Sequence, residues 1–178
     1  MLQALVQDRY GALVARATLV TGTRAEAVDL VHDALVATFG AGATFGTVAQ
    51  AEQYVCRAIT SRSIDRARRR GRERRAVERL QALTSGSVTD PDPDVLGADV
   101  VAALADLAPR ERACVLLRHL DDLSVHETGQ VLGLSEGAVK RYTADGIARL
   151  NARLGTTAPA SDVVAVHLVP GEENRHDR

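Results

Sequence analysis

No proline interrupts the first ninety residues; all five stand at or beyond position 91. A proline inside a helix removes a backbone donor and clashes with the preceding turn, so this half of the chain is free to be helical throughout. The side chains available for a core point the same way. Hydrophobic residues make up 46% of the 178, yet aromatics only 3%, with no tryptophan. Cores must be assembled from Leu, Val and Ala with a little Ile, a palette that favours helices. The length admits one ordinary domain or two small ones. The expected class is all-α, as two small helical domains joined by a flexible linker.

Periodicity and capping chemistry place the elements. Leu2, Leu5, Val6, Leu13, Val14 and Ala17 recur at helical spacing, and Thr21-Gly22 ends that helix. Thr23 caps a second, whose apolar face is Ala27, Leu30, Val31, Ala34 and Leu35. Asp29, His32, Asp33 and Val36 fall on its opposite side, an acidic and exposed face. Gly40, Gly42 and Gly46 then make a loop carrying Phe45. A third helix begins near Val48 or Ala51, with Tyr54, Val55, Ala58 and Ile59 as its buried stripe, and runs into an arginine cluster. Residues 84–94, TSGSVTDPDPD, form a linker by composition.

Beyond it, Val100, Val101, Leu104 and Leu107 mark a short helix that yields before Pro109, which suits the first turn of the next. That helix reaches about Leu120 and buries Val115, Leu116 and Cys114. Asp121 and Asp122 turn the chain, Ser124 caps a helix to Leu132, Gly133 stops it, and Ser135 caps a last helix to about Leu154. The boundaries so drawn are a first domain at 1–83, a linker at 84–98, a second domain at 99–155, and a tail at 156–178 that is polar apart from the apolar run Val163 to Val169.

The net charge of −1 hides a strong asymmetry. Residues 57–79 hold ten Arg against three acids, 10 − 3 = +7, while residues 84–178 hold nine Lys plus Arg against fifteen acids, 9 − 15 = −6. Positive charge is placed on one helix, not spread for solubility, and a polyanion is its natural partner. Arginine keeps its charge, and its fork matches phosphate oxygens. The alternative is a solvated, charged helix end, which the density of arginine and scarcity of acids disfavour.

Catalytic signals are weak. His119, Asp121, Asp122 and His126 resemble a metal set in composition, but their spacing lacks a ligand pair, and a solvated loop is the better reading. No phosphate-binding loop, dinucleotide fingerprint or nucleophile elbow is present. Cys56 and Cys114 stand far apart without a Cys-x-x-Cys pair, which excludes a disulfide framework and agrees with a reducing compartment. The N-terminus lacks the succession of a signal peptide and no apolar run is long enough to span a bilayer. The chain is expected to be cytoplasmic, with no membrane insertion.

The stretch SVHETGQVLGLSEGAVKRYTADGIARL is the sharpest signal: a short helix, a glycine turn, and a second helix opened by a serine cap. This is a helix-turn-helix, with Leu132, Gly133, Leu134 and Val139 around the shared contact and Glu136, Lys140, Arg141, Ala144 and Asp145 on the outer side. An ordinary helical hairpin in an all-helical core is the competing reading.

Together these pieces resemble a sigma factor of the sigma-70 family, in the small two-domain extracytoplasmic-function group, over about residues 5–155. The family's Asp-Leu-Val-Gln-Glu segment reads here Asp29, Leu30, Val31, His32, Asp33. The helix that opens and reads the −10 element corresponds to Tyr54 through Ser61, then Asp65 and the arginine run. The Leu-Pro-x-x-x-Arg start of the second domain corresponds, with one shifted residue, to Leu107, Ala108, Pro109, Arg110, Glu111 and Arg112. The resemblance implies core RNA polymerase docking by Asp29, His32 and Asp33. It implies −10 contacts from Tyr54, Arg57, Ser61, Arg62, Asp65, Arg66, Arg68, Arg69 and Arg70, and −35 contacts from Ser135, Glu136, Gly137, Lys140, Arg141, Ala144 and Asp145. Its partners would be core polymerase, promoter DNA as duplex and as melted non-template strand, and an anti-sigma factor. No cofactor, metal, small-molecule substrate or catalysis is implied.

This sequence departs from the pattern at contact positions: His32 for Gln, Ser61 for Asn, Tyr54 for Trp, an acidic Asp145 where a phosphate contact is expected, and Gly146, which costs α-helix stability by about 1 kcal/mol relative to Ala. The runner-up is a helix-turn-helix regulator that never engages polymerase, which would leave the first domain's acidic face and arginine helix without a task. A nucleic-acid enzyme is a more distant third.

Overall fold

A computed structural model describes residues 1–78 and 98–156 of the chain, with the side chains of 73–78 and 98 left aside. Within them every regular element is a helix: α1 Leu2–Thr21, α2 Arg24–Gly40, α3 Val48–Glu78, α4 Ala98–Ala105, α5 Pro109–His119, α6 Val125–Leu132 and α7 Glu136–Leu154. The predicted linker at 84–94 and the apolar run Val163 to Val169 lie outside the described residues. No described helix is long and apolar enough to cross a membrane.

Helix ends follow local chemistry. α1 stops at Gly22, whose φ of 85° lets its N–H reach back to the Thr18 carbonyl. Thr23 Oγ1 then accepts the Glu26 N–H at 3.3 Å, opening α2. Pro109 occupies the first turn of α5, and the Glu111 carboxylate accepts the Ala108 N–H at 3.2 Å. Ser124 and Glu127 satisfy each other's backbone N–H groups in a capping box at α6, and Ser135 accepts the Ala138 N–H at α7.

Helices α1 to α3 form one three-helix unit around Leu5, Leu13, Ala17, Leu30, Val31, Ala34, Val55 and Ile59, all fully buried. Each large apolar side chain so buried contributes about 1.5–3 kcal/mol. Helices α4 to α7 follow, with α7 packed closely along α5. The two sets of helices pack on one another. Val101, Leu104, Leu107, Val115, Leu116 and Ile147 belong to the same continuous core as Leu13, Val20 and Ile59.

Two sequence readings need correction. Tyr54 is not part of α3's buried stripe; it is 51% exposed, while Val55 and Ile59 are fully buried. Of the four residues at 54, 55, 58 and 59, Tyr54 lies at one edge of the stripe, against Phe45. Gly146 is more than a weak point of α7. A Cβ built there would lie 2.6 Å from Val115 Cγ2 and 3.4 Å from the Glu111 carbonyl oxygen, so its bareness is what lets α7 approach α5.

Candidate nucleic-acid interface

The helix-turn-helix is held by a close approach at its centre. Leu134 N–H donates to the Gly129 carbonyl at 2.9 Å, and a Cβ on Gly129 would lie 2.8 Å from the Leu134 carbonyl oxygen. Gly133, at φ 61°, makes the turn between them, and Val139 is fully buried beneath it. On the outside, His126 Nδ1 lies 3.2 Å from Glu136 Oε1, tying the start of α6 to the start of α7. The result fixes one face of α7 outward: Ser135, Glu136, Gly137, Lys140, Arg141 and Asp145 are exposed, with Ala144 half-buried among them. Arg141 lies 5.0 Å over the Tyr142 ring, and Arg110 donates to the Tyr142 hydroxyl at 3.2 Å. Hydrogen bonding to its hydroxyl from Arg110, and next from Arg141, pulls the Tyr142 phenol below its usual range.

On α3 the predicted DNA residues divide by face. Arg66 Nη2 lies 2.6 Å from Asp33 Oδ2, and Arg70 Nη1 lies 2.6 Å from Glu26 Oε1, so these two arginines reach back over α2. Arg68 pairs with Asp65 at 3.6 Å on the helix itself. Such exposed pairs are worth about 0–1 kcal/mol and yield easily to a phosphate. Arg69 is exposed, and Arg62 and Ser61 are half-buried. Arg57 is also half-buried. Burial pushes the Asp121 carboxyl up against the pull of Arg16, and the hydrogen bonds from Ser124 pull the Glu127 carboxyl down. On α2, Asp29, His32 and Asp33 are exposed together as expected, but not as free groups throughout: Asp33 holds Arg66, and His32 Nε2 lies 3.2 Å from the Tyr10 hydroxyl.

Sequence reasoning missed an aromatic trio. Phe39, Phe45 and Tyr54 meet in succession, the first pair edge to face and the second tilted, with centroids 5.7 Å and 5.3 Å apart, where the glycine loop meets the start of α3. A ring exposed beside an arginine helix is a surface on which a nucleobase can stack, worth about 1–3 kcal/mol per base. The signal available was Phe45 in a glycine-rich loop, one of only two phenylalanines in the chain.

The weighed metal set dissolves. Asp121 is not in a solvated loop: its Oδ2 lies 2.7 Å from Nη2 of Arg16, a residue only 6% exposed on α1. His126 faces Glu136 instead. Among the described residues no group of His, Cys, Asp and Glu could hold a metal ion. Burial pushes the thiols of Cys56 and Cys114 up to about 11 and about 12, so both stay protonated and unreactive near neutrality.

The family "Sigma-70, region 4" matches residues 103–152, from within α4 to the end of α7. The RNA polymerase sigma-E factor of Streptomyces coelicolor is 31% identical over 84% of this chain and 83% of its own length. The ECF RNA polymerase sigma factor SigE of Mycolicibacterium smegmatis is 31% identical over 76% of this chain and 54% of its own. Among solved structures, the sigma factor RpoE of Bartonella quintana, determined in complex with the anti-sigma factor NepR, shares the fold with a TM-score of 0.62 at 19% identity, covering 88% of this chain and 98% of that one. With the region 4 match over the helix-turn-helix and a 31% match across most of both chains, the chain belongs to the extracytoplasmic-function group of the sigma-70 family of RNA polymerase sigma factors.

Proposed function

We propose that this chain is a sigma factor: it binds core RNA polymerase and directs promoter-specific transcription initiation. One observation carries the reading. A helix-turn-helix with its α7 face uncovered stands in the same chain as an arginine-rich helix and an aromatic trio, and a duplex reader alone needs only the first.

Asp29, His32 and Asp33 on α2 are the docking face for core polymerase. Tyr54, Arg57, Ser61, Arg62, Asp65, Arg66, Arg68, Arg69 and Arg70 serve the −10 element, with the arginines on phosphates and the Tyr54–Phe45 face under an unstacked base of the non-template strand. Unstacking a base costs a few kcal/mol, which stacking and phosphate contacts offset without covalent chemistry. Ser135, Glu136, Gly137, Lys140, Arg141, Ala144 and Asp145 meet the −35 duplex. Catalysis belongs to polymerase. An anti-sigma protein, like the one bound to RpoE, is the natural repressor, and the site of action is where the nucleoid and polymerase are. Reconstitution with core polymerase on fragmented genomic DNA tests the reading: discrete start sites that need both components are expected, and tight operator binding by the chain alone with no start sites would replace it with the regulator.

A further inference from the structure

We propose that Glu136 reads a cytosine in the upstream promoter element, and that His126 and Gln130 of α6 are the positioning residues that aim its carboxylate. The inference rests on α7 being the helix that meets the −35 duplex. It adds which base one side chain selects and what holds that side chain.

Three observations carry it. Glu136 is the first residue of α7, directly after the Ser135 cap, and it is exposed. The first residues of a recognition helix are the ones that reach base edges in a major groove. Second, the carboxylate is tethered from the other helix. His126 Nδ1 lies 3.2 Å from Glu136 Oε1, and Gln130 Nε2 lies 3.0 Å from His126 Nε2. His126 and Gln130 stand four residues apart, on one face of α6. Third, the ground beneath this row is fixed: Leu134 N–H donates to the Gly129 carbonyl, and Val139 is fully buried under the turn.

Donor and acceptor chemistry allows one arrangement of the row. A carboxylate only accepts, so His126 Nδ1 carries the proton and donates to Oε1. In the neutral ring Nε2 is then the acceptor, and the Gln130 amide donates to it. The ion-pair partner of Glu136 is thus His126 and not Lys140, one turn on. Its Oε2 makes no bond among the described residues and is the acceptor left for a base. Guanine and thymine present acceptors to the major groove, N7 and O6 in one and O4 in the other, and these repel a carboxylate. Adenine offers its N6 amino group with the N7 acceptor beside it. Cytosine presents an amino donor with no acceptor of its own on that edge. Because the duplex is a polyanion, a carboxylate that finds no donor there weakens binding, so Glu136 selects by penalty as well as by attraction. A glutamate free to swing would escape that penalty. Both side chains of the pair are more than half exposed in the free chain, where such a bond is weak, and exclusion of water against a base edge strengthens it.

The test is selection from randomised duplexes by the full chain, alone and with core polymerase, followed by sequencing of the bound DNA. The parent should enrich a motif in which one position favours C over T about tenfold, since thymine replaces the amino donor by a carbonyl. Glu136→Ala should abolish that preference and leave the other positions as they were. His126→Ala should cut it about threefold at the same position only, and His126→Asn, whose amide nitrogen can stand in for Nδ1, should restore it. Melting temperatures should not change, as befits exposed residues. An unaltered motif in Glu136→Ala overturns the reader. Loss in Glu136→Ala with none in His126→Ala overturns the positioning. Weakening at every position with a lowered melting temperature, unrescued by Asn, makes the pair a brace between helices and overturns it as well. A parent that enriches no sequence overturns the assignment of α7 to DNA and this inference with it. Should reconstituted initiation fail while the cytosine response holds, the sigma reading falls and α7 stands as a cytosine reader.

Discussion

Gly146 gives the sharpest test of how α5 and α7 meet. Helix propensity alone says that Gly146→Ala should stabilise the protein by about 1 kcal/mol. The surroundings say otherwise. A Cβ at this position would lie 2.6 Å from Val115 Cγ2, with the Glu111 carbonyl oxygen at 3.4 Å and Glu111 Cβ at 3.5 Å behind it. Carbon atoms rest about 3.5–4.0 Å apart, so one of them must retreat by about an ångström. Val115 cannot rotate out of the way, because a β-branched side chain on a helix has essentially one rotamer and this one is 5% exposed within the core. The helix itself has to move. Overpacking of this kind costs about 1–3 kcal/mol, which exceeds the propensity gain and leaves a net loss of about 1 kcal/mol.

For a chain of this length that loss lowers Tm by about 2–4 °C. Thermal melts followed by circular dichroism on the parent, Gly146→Ala, Val115→Ala and the double variant complete the cycle. Val115→Ala alone should cost about 1–3 kcal/mol for lost methyls and the cavity left behind. In the double variant the new methyl occupies the vacated space, so the pair should be less damaging than the sum by at least about 1 kcal/mol. A higher Tm for Gly146→Ala, or strict additivity in the double variant, would refute the close approach.

Replacing Lys140 and Arg141 together by Ala should weaken duplex binding and flatten its dependence on salt by about 2 units of slope, measured by titration at two salt concentrations; an unchanged slope removes α7 from the interface. Asp29→Lys should reduce association with core polymerase while helicity holds, and pull-down of the purified subunits decides it. Asp29 is the cleaner position than Asp33, whose reversal also strips Arg66 of its partner. Iodoacetamide at neutral pH should modify Cys56 roughly a hundredfold more slowly than a free thiol, because a pKa pushed up to about 11 leaves two fewer decades of thiolate. Labelling at the free-thiol rate would show that the thiol is not desolvated.

What the sequence made legible was whatever chemistry is settled within one or two turns. The caps at Thr23, Ser124 and Ser135 and the stop at Gly133 depend on groups no more than a few residues away, and each stands where its residue type predicts. The apolar face of α2 was equally plain, because Ala27, Leu30, Val31, Ala34 and Leu35 meet neighbours on one side only. Misreadings cluster where a distant element competes. Asp121 looked like a solvated turn because its partner, Arg16, stands 105 residues earlier. Asp33 looked like a free surface acid because Arg66 reaches it from the next helix. Gly146 looked like a defect because Val115 is invisible to helix propensity.

The arginine helix shows why charge counting alone misstates what such a chain offers to DNA. Residues 57–79 carry +7, but among the described residues three of these arginines already hold a carboxylate. Asp33 sits on Arg66, Glu26 on Arg70, and Asp65 on Arg68. A phosphate arriving at α3 therefore exchanges with an existing carboxylate, and the free energy is the difference between two pairings rather than the whole of one. Two of those carboxylates, Asp33 and Glu26, belong to α2, the helix whose exposed face is proposed to meet polymerase. A cationic surface that takes Asp33 releases the Arg66 guanidinium beside it, so docking on α2 and phosphate binding on α3 draw on the same side chains and cannot be independent. On this arrangement the free chain binds nucleic acid more weakly than its arginines suggest, and the difference is recovered where a second partner occupies the acids.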